Sequence, residues 1–417
     1  MTITDITSWC RRIALKNFIE IQGSYSSAKI FTDNIEEGAL QQVNDICNQE
    51  FAKGSKIRIM PDVHQGIGCV IGTTMTITDK VVPNLVGVDI GCGLSYTFIN
   101  VDKNDIPYEM LDDVIRKMIP SGQKVRGRVH PAVNVFDDFN SIRAPLRKVD
   151  RIKKSLGTLG GGNHFLELNE VEPGKVALVV HSGSRNLGNQ IASYYQNLAY
   201  QQLTDIFLKR EQLILKLKQQ GKEEEISAEL KKLIPKKIRK DIAYLQGDAL
   251  DDYLNDMRIT QHYAWLNRKV MLEEICKHMG WDGKIASEIY STAHNYIDLD
   301  TKILRKGAIS AQIGEKVIIP INMKEGSILA NGKGNPDWNC SGPHGAGRVM
   351  SRSKARESVS FKEFKESMKD VWTSSVTKST MDEAPIVYKP KEEIIDKIAD
   401  TVTIEKLIKP VYNYKAN

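Results

Sequence analysis

Side chains that can bind metal ions occur in several glycine-rich or polar segments of this 417-residue sequence. Asp89 and Cys92 lie three residues apart in DIGCG, where the glycines allow the chain to turn. His164 lies in GGGNHFLEL, His181 in VVHSGSR and His294 in STAHNYID, each at or near the end of a predicted strand. A buried cysteine beside a capping aspartate would explain the first pair alone, but each histidine would then need its own structural explanation. We therefore predict a site for two metal ions, with Cys92 as a thiolate able to bridge both.

The identity of the metal is left open by these residue types. Thiolate and imidazole favour zinc, whereas carboxylate and water suit manganese better. The six cysteines include no C-x-x-C pair, which argues against a zinc knuckle and against a disulfide framework. Their number and placement fit a protein of a reducing compartment.

Two further segments combine glycine with arginine. HSGSRNLG contains Arg185, and PHGAGRVMSR contains His344, Arg348 and Arg352. Exposed backbone N–H groups form anion-binding nests, and the guanidinium fork matches phosphate oxygens. Neither segment is a Walker motif or a dinucleotide fingerprint. Two metal ions, arginines and a histidine outside the ligand set together indicate phosphoryl or nucleotidyl transfer, with the role of His344 open between ligand, base, phosphate donor and nucleophile.

Charge and hydropathy restrict the class of protein. The net charge of +6 is mild, so it permits a polyanionic partner without requiring one. No apolar run approaches 18 residues, which argues against a membrane span. The N-terminal residues lack the basic and then apolar pattern of a signal peptide. We expect a cytoplasmic protein that does not act at a membrane.

The secondary-structure elements that must position these residues are predicted from the spacing of apolar residues and glycines. Short β-branched runs broken by glycine extend over residues 57–100, 157–188 and 285–347, and predict buried strands joined by tight loops. Residues 1 to about 55 are predicted to be mainly helical, and residues 195–280 to form a helical insertion. The predicted fold class is α+β: a single mixed-sheet catalytic core that spans residues 1–417 as one domain, interrupted by that insertion.

The motifs resemble those of a known family. MPDVHQG, GVDIGCG, GTLGGGNHFLEL, HSGSRNLGNQ, AHN, RKGAI, PHGAGRVMSR and DEAPIVYK occur in the order seen in RtcB-type RNA ligases. The resemblance extends from about residue 57 to the C-terminus, apart from much of the helical insertion. Several of these motifs are long and seldom found elsewhere, and the length is similar to that of the compact bacterial members.

The resemblance implies an enzyme of RNA repair or tRNA processing. It would join an RNA 3′-phosphate or 2′,3′-cyclic phosphate end to a 5′-hydroxyl end, using GTP and two Mn²⁺ ions, through a guanylylated histidine. Asp89, Cys92 and His164 would hold one ion, and Cys92, His181 and His294 the other. His344 would be the nucleophile that takes GMP. The resemblance leaves open which RNA is the substrate and whether an activating protein partner is needed.

The resemblance also implies contacts to the nucleotide and to RNA. Arg185, Arg348 and Arg352 would contact phosphates or RNA ends, while Asp62 and His64 match a motif near the site entrance. Three features depart from the family pattern. Asn322 stands where a guanine-contacting serine is usual, Leu304 stands where a histidine often occurs, and Ala416 and Asn417 follow Lys415 where the family typically ends close after Lys-Gly. The nucleotide-binding residues are expected to be Asn163, Glu167, Asn322, Ser327, Gly345, Ala346, Gly347, Tyr388 and Lys415.

Two other classes of protein fit part of the pattern. A dinuclear metallophosphoesterase acting on nucleic acid or nucleotides would use the same metal ligands, but would need neither a histidine nucleophile nor a guanine pocket. A non-catalytic RNA-binding protein would gain nothing from keeping His344 together with the ligand set. Formation of a covalent GMP adduct separates the first alternative from a ligase, and metal analysis tests the second.

Overall fold

The chain folds around two large β-sheets and a long central helix in the computed structural model, which describes residues 18–204, 206–232 and 238–416. The first sheet has six strands in the order β1-β2-β3-β4-β10-β9. Its β2 and β3 run parallel, and its other neighbours are antiparallel. Its strands are β1 (Ile19–Gln22), β2 (Ser27–Ile30), β3 (Ile57–His64), β4 (Ile71–Thr76), β9 (Asn295–Asp298) and β10 (Ile303–Lys306).

The second sheet has seven strands in the order β12-β13-β15-β6-β7-β5-β8, and all its neighbours are antiparallel. Its strands are β5 (Gly93–Ile99), β6 (Phe165–Glu172), β7 (Lys175–Ser182), β8 (Tyr290–Ala293), β12 (Lys316–Asn322), β13 (Gly326–Gly332) and β15 (Val402–Lys415). A third, two-stranded sheet pairs β11 (Ala308–Ser310) with β14 (Ser341–Pro343) and places the chain just before residue 344.

Helices pack against both large sheets. The α-helices are α1 (Glu37–Cys47), α2 (Tyr108–Met118), α3 (Val149–Lys154), α4 (Arg185–Thr204), α5 (Ile206–Gln219), α6 (Ile226–Lys232), α7 (Asp248–His278), α8 (Arg352–Ser358), α9 (Phe361–Ser367) and α10 (Lys391–Ile398). None of the helices within the described ranges combines the length and the apolarity that crossing a membrane would take.

The central strands are buried on both faces, which explains why their sequences are apolar without alternation. In β7, Val176, Leu178 and Val180 pack into a cluster with residues of α2 and α7. Ala177 and Val179 point to the opposite face and join a cluster with β12, β13 and β15. Because side chains alternate along a strand, His181 follows these two onto the second face, where its ring contacts that of Phe165.

The α+β prediction is confirmed, and two details of the expected architecture differ. The strands form three sheets, of which the six-stranded one alone is mixed. The expectation that residues 1 to about 55 are mainly helical is wrong for the described part, where α1 follows the short strands β1 and β2. Those strands bury Ile21, Ala28 and Ile30 in an apolar cluster with residues of α1 and β3. Packing in this cluster therefore selects the strand conformation, and four-residue segments are too short to show it by their hydrophobic pattern. Residues 1–17 lie outside the described residues.

The helical segment predicted over residues 195–280 contains the second half of α4 and all of α5, α6 and α7. Its last helix is integrated into the core, because α7 packs directly against β5 and β7. Two polar side chains of α7, Asn267 and Arg268, are fully buried there. The described helices of this region therefore range from the exposed α6 to an element that contacts the ends of the central strands.

Candidate active site

The five predicted metal ligands meet at one end of the seven-stranded sheet. Asp89, Cys92 and His164 place their ligand atoms within 4.8 Å of one another, and so do Cys92, His181 and His294. Cys92 Sγ lies 3.4 Å from Nε2 of both His164 and His181. Nε2 of His181 lies 3.1 Å from Nε2 of His294, and Nε2 of His164 lies 3.1 Å from Asp89 Oδ2. The two triplets share the thiol, and their donor types fit a pair of divalent ions.

Strand pairing explains why residues distant in sequence converge. The strands β6, β7, β5 and β8 are successive neighbours in the sheet. Cys92 and His164 immediately precede β5 and β6, whereas His294 immediately follows β8. His181 lies near the end of β7, opposite Phe165 of β6. Since neighbouring strands are antiparallel, the starts of β5 and β6 and the ends of β7 and β8 lie at the same end of the sheet. There the His294 N–H donates to the Cys92 carbonyl at 2.8 Å.

Hydrogen bonds to the backbone orient two of the imidazoles. His164 Nδ1 lies 2.9 Å from the Leu159 carbonyl, and His181 Nδ1 lies 3.2 Å from the Asn163 carbonyl. A carbonyl oxygen can only accept, so each Nδ1 carries the proton. Each Nε2 therefore presents its lone pair next to the Cys92 thiol, as a metal-binding histidine requires.

Arg268 holds together the two loops that carry ligands. Its guanidinium is buried and donates to the carbonyls of Gly91 at 2.8 Å and Ser182 at 2.9 Å. Burial lowers its pKa to about 10, although the neighbouring Cys92 and Asp89 oppose that shift, so the group is a cation at neutral pH. Arg268 was not predicted from the sequence, because a single arginine inside a helix forms no recognisable motif.

The buried environment suppresses charge on the neutral ligands. Burial and the Asp89 carboxylate raise the pKa of the Cys92 thiol well above its usual value. Burial lowers the pKa of His181 and of His294 well below the usual range, with smaller effects from neighbouring histidines. The imidazoles are therefore neutral at physiological pH, and a bound divalent ion would supply the positive charge that stabilises the thiolate.

His344 lies beside the second triplet, with its ring centroid 4.7 Å from that of His294. Its Nδ1 lies 2.7 Å from Oδ2 of Asp62, a carboxylate with no exposed surface. The backbone N–H groups of His344 and Gly345 donate to the same oxygen at 3.1 and 3.2 Å. Among the described residues none hydrogen-bonds to Nε2 of His344. Asp62, quoted in the motif but without an assigned role, therefore fixes the tautomer that leaves Nε2 unprotonated.

A cleft opens next to His344 and encloses about 870 Å³ of space, part of it open to solvent. Gly345, Ala346 and Gly347 form one side, and Gly347 has φ of +74°. A Cβ at Gly347 would lie 2.6 Å from the Asp62 carbonyl oxygen, so only glycine fits there. The wall also includes Asn163, Glu167, Asn322, Arg348, Arg352, Tyr388 and Lys415. The cleft thus brings together most of the residues expected to bind nucleotide, together with two of the three arginines.

The wall of the cleft is organised around Glu383, which the sequence analysis did not single out within DEAPIVYK. Tyr388 Oη donates to Glu383 Oε2 at 2.7 Å, and Lys415 and Arg352 form short ion pairs with the same carboxylate. Although burial alone would raise it, the charges of Lys415 and Arg352 hold the pKa of Glu383 at about 2. Arg348 donates to the Asp382 carbonyl at 2.7 Å, and its Nη1 is buried without a hydrogen bond. Four predicted contact residues therefore pair within the protein.

Three other expected residues differ in what they contact. Glu167 is buried, accepts from Asn413 Nδ2 at 2.7 Å, and has its pKa raised by burial to about 7. The Ser327 hydroxyl is buried without a hydrogen-bond partner, and Ser327 is not among the residues that line the cleft. Asn322 Oδ1 accepts from the N–H groups of Lys324 and Glu325 and closes the β12–β13 turn, so only its amide N–H groups remain for a ligand.

Arg185 and Leu304 lie outside the cleft. Arg185 has φ of +57°, and its guanidinium donates to Thr158 Oγ1 at 3.2 Å and the Gly122 carbonyl at 3.1 Å. Burial lowers its pKa, and the charge of Asp89, a member of the first ligand triplet, opposes that shift. Leu304, at the position where the family resemblance leads us to expect a histidine, is buried and packs in the apolar cluster that contains residues of β3 and β4.

Comparisons with known proteins find one family of similar sequences. A family model described as "tRNA-splicing ligase RtcB" matches residues 42–143 and 137–416. The chain is 30% identical over 405 residues to the RNA-splicing ligase RtcB of Escherichia coli strain K12, a match that covers 89% of this chain and 92% of that protein. It is 28% identical to a tRNA-splicing ligase RtcB of Aeropyrum pernix, with 88% and 89% covered, and 26% identical to one of Methanococcus maripaludis, with 92% of each covered.

Proposed function

The chain belongs to the RtcB family of tRNA-splicing ligases, and from that premise we propose that it joins an RNA 3′-phosphate or 2′,3′-cyclic phosphate end to a 5′-hydroxyl end. GTP would be the co-substrate, and His344 would carry GMP. The observation that carries the proposal is the position of His344, whose Nδ1 is bonded to the buried Asp62 while its ring lies against that of His294.

The reaction needs a carrier because a terminal phosphate has no good leaving group. In the proposed first step, Nε2 of His344 attacks the α-phosphorus of GTP, a P–N bond forms and pyrophosphate leaves. The ring then becomes cationic, and the Asp62 carboxylate on Nδ1 stabilises that charge. GMP passes from Nε2 to the RNA 3′-phosphate, and attack by the 5′-hydroxyl on that phosphate expels GMP. A cyclic phosphate would first be opened by water.

Two metal ions, Mn²⁺ by family resemblance, would be held by the two triplets. Asp89, Cys92 and His164 would bind one, and Cys92, His181 and His294 the other. Bound divalent ions neutralise phosphate charge and lower the pKa of an attacking hydroxyl. The protein's own contribution is to present neutral imidazoles in a fixed tautomer, and the carbonyls of Leu159 and Asn163 support this assignment.

Guanine selection is proposed for Glu167. One edge of guanine carries two adjacent N–H donors, which a carboxylate can accept together, whereas adenine lacks that pair. Asn322 would contribute only amide N–H groups, since its oxygen is already bonded in the turn. The remaining nucleotide and phosphate contacts are proposed for Asn163, Ser327, Gly345, Ala346, Gly347, Tyr388, Lys415, Arg185, Arg348 and Arg352.

The test uses two forms of labelled GTP. With Mn²⁺, GTP labelled at the α-phosphate should give a protein adduct that survives denaturation, whereas label at the γ-phosphate should not remain on the protein. Addition of RNA bearing a 3′-phosphate and RNA bearing a 5′-hydroxyl should then discharge the adduct and give one joined strand. Release of inorganic phosphate from RNA ends without any adduct would identify a phosphoesterase and contradict the proposal.

The setting of the reaction is also proposed. The cysteines of the described residues, namely Cys47, Cys69, Cys92, Cys276 and Cys340, are all free thiols. Free thiols are typical of a reducing compartment, which supports action in the cytoplasm, in RNA repair or tRNA processing. An activating protein partner would be revealed by a purified protein that forms the adduct only after cell extract is added.

A further inference from the structure

A basic surface lies near the first ligand triplet, outside the cleft that adjoins His344. Residues 119–156 contain nine lysines and arginines but three acidic residues. Within this stretch Arg143 pairs with Asp252, and Lys154 pairs with Asp150. Besides Arg128, four other cations are exposed and form no ion pair with the described acidic residues. We call these four, whose segments are joined by hydrogen bonds, the basic face: Lys124, Arg147, Lys148 and Arg151.

The basic face is one surface, because hydrogen bonds join the segments that carry it. Arg151 in α3 donates to the Gln123 carbonyl at 2.7 Å, next to Lys124. The Arg147 N–H donates to Gln190 Oε1 at 2.7 Å, and Gln190 Nε2 donates back to the Arg147 carbonyl at 3.0 Å. Gln190 lies in α4, the helix that begins at Arg185. The loop before α3, α3 itself and the first turns of α4 therefore form a continuous face.

The same segments reach the metal ligands within a few residues. Gly122 donates its N–H to the Gly160 carbonyl at 2.8 Å and accepts from Arg185 at 3.1 Å. Gly160 follows Leu159, whose carbonyl orients the His164 ring at 2.9 Å. An end group held near His164 and Arg185 would therefore continue across the loop that carries the basic face.

We propose that the basic face binds the phosphodiester backbone of the RNA whose end lies at the metal ligands. The inference rests on the proposed function and adds to it the path of the RNA outside the site. Exposed cations that form no ion pair suit a backbone of regularly spaced phosphates. A protein partner would require apolar or aromatic anchors. Among the described residues of 119–156, Val129 is the single large apolar side chain that is exposed.

The experiment compares the parent protein with a variant of the basic face and a matched control. Both variants replace four exposed lysines or arginines that form no ion pair, so both change the net charge equally. The control cations lie elsewhere on the surface. The basic-face variant carries Lys124→Gln, Arg147→Gln, Lys148→Gln and Arg151→Gln. The control variant carries Lys53→Gln, Lys362→Gln, Lys365→Gln and Lys409→Gln.

Affinity for a long RNA with a 3′-phosphate is measured over a range of salt concentrations. Each lost phosphate contact reduces the slope of log K against log salt by about 0.7 for single strands. The basic-face variant should therefore bind at least about 30-fold more weakly at low salt, with a slope shallower by about 3 units, while the control follows the parent protein. Adduct formation with GTP should be unchanged, because that step involves no RNA.

The outcomes separate this inference from the proposed function. If the basic-face variant binds RNA with the affinity and salt slope of the parent protein, the inference is overturned. If that variant in addition loses affinity for polyglutamate, the basic face binds acidic protein instead. A parent protein that forms no GMP adduct and joins no ends, both alone and after cell extract is added, would overturn the proposed function. The RNA affinities are measured in either case, and a weaker, less salt-dependent basic-face variant would still support the RNA path.

Discussion

The metal ligands and the wall of the adjoining cleft hold buried polar groups in different ways. At the metal ligands each side chain presents one donor atom to a shared point, and backbone carbonyls orient the imidazoles of His164 and His181. On the wall, charged side chains pair with one another, as Lys415 and Arg352 do with Glu383. A Cys92 thiolate beside Asp89 would need a bound cation to balance its charge, whereas the charged side chains of the wall already pair within the protein.

This difference separates assembly of the metal centre from binding of the nucleotide. The metal centre should depend on each ligand and be insensitive to the wall. The wall should depend on its ion pairs for stability, and a nucleotide phosphate would have to compete with Glu383 for Arg352 and Lys415. His344 lies between the two regions, since its ring adjoins His294 while Gly345–Gly347 line the cleft.

Cys92→Ala tests the metal side and should have the largest effect. The thiol belongs to both triplets, so its loss should remove most bound Mn²⁺ and reduce adduct formation by about a thousandfold or more. The control is Cys276→Ala, which also removes a buried thiol but lies in the apolar cluster between β7, α2 and α7. Metal content by mass spectrometry and adduct yield are the measurements. Two bound ions in the Cys92→Ala protein would refute the shared ligand.

Asp62→Asn tests the residue that connects the two regions through His344. The asparagine amide can donate to Nδ1 and so favour the tautomer with a proton on Nε2, which cannot attack phosphorus. We expect adduct formation to slow by about a hundredfold, whereas a wrong tautomer costs up to about 10⁴-fold in other enzymes. Metal content should remain at the parental value. Loss of metal together with the adduct would mean that Asp62 supports the metal centre instead.

Glu383→Gln tests the wall alone. It leaves the buried Lys415 without its anion, whereas the half-exposed Arg352 keeps its ion pair with Asp382. Breaking a buried ion pair costs about 3–5 kcal/mol. The free energy of unfolding should fall by that amount, while the exposed control Glu363→Gln stays within about 0.5 kcal/mol of the parent. Denaturant unfolding measures both variants, and metal content measures the other region. A large loss of metal in Glu383→Gln would show that the two regions are not independent.

The pH dependence of GTP use should give the smallest effect and should arise in the cleft. Burial raises the pKa of Glu167 to about 7, so the carboxylate that would accept from guanine forms as the pH rises through that value. Without nucleotide, the stabilisation from protonated Glu167 is present at low pH and is lost over the same range. Adduct formation at limiting GTP should fall about tenfold for each pH unit below 7.

The control for the pH profile is Glu167→Gln, because GTP itself also titrates near neutral pH. The parent protein should lose more activity than the variant as the pH falls below 7, and the variant should also lose its preference for GTP over ATP. Parallel pH profiles for the two proteins would assign the titration to the nucleotide and remove Glu167 from guanine selection.

The same contrast explains what the sequence could predict. The ligands Asp89, Cys92 and His294 were found because residue types with an intrinsic affinity for metal stand out at strand ends. Glu383 and Arg268 were missed because a buried ion pair or a buried arginine is defined by its partners, which only the fold brings close. The α+β class followed from the local spacing of apolar residues and glycines. The division into three sheets depends on pairing between strands that are distant in sequence, such as β15 with β6, and local sequence patterns do not reveal such pairing.

The central claim is that His344 carries GMP on Nε2 while Asp62 holds Nδ1. The direct test is to incubate the protein with Mn²⁺ and GTP, digest it under neutral or alkaline conditions that preserve a P–N bond, and locate GMP by mass spectrometry. We expect one GMP per chain on the peptide that contains His344, and none in a His344→Ala protein that still binds two metal ions. GMP on any other residue, or an undiminished adduct in His344→Ala, would contradict it.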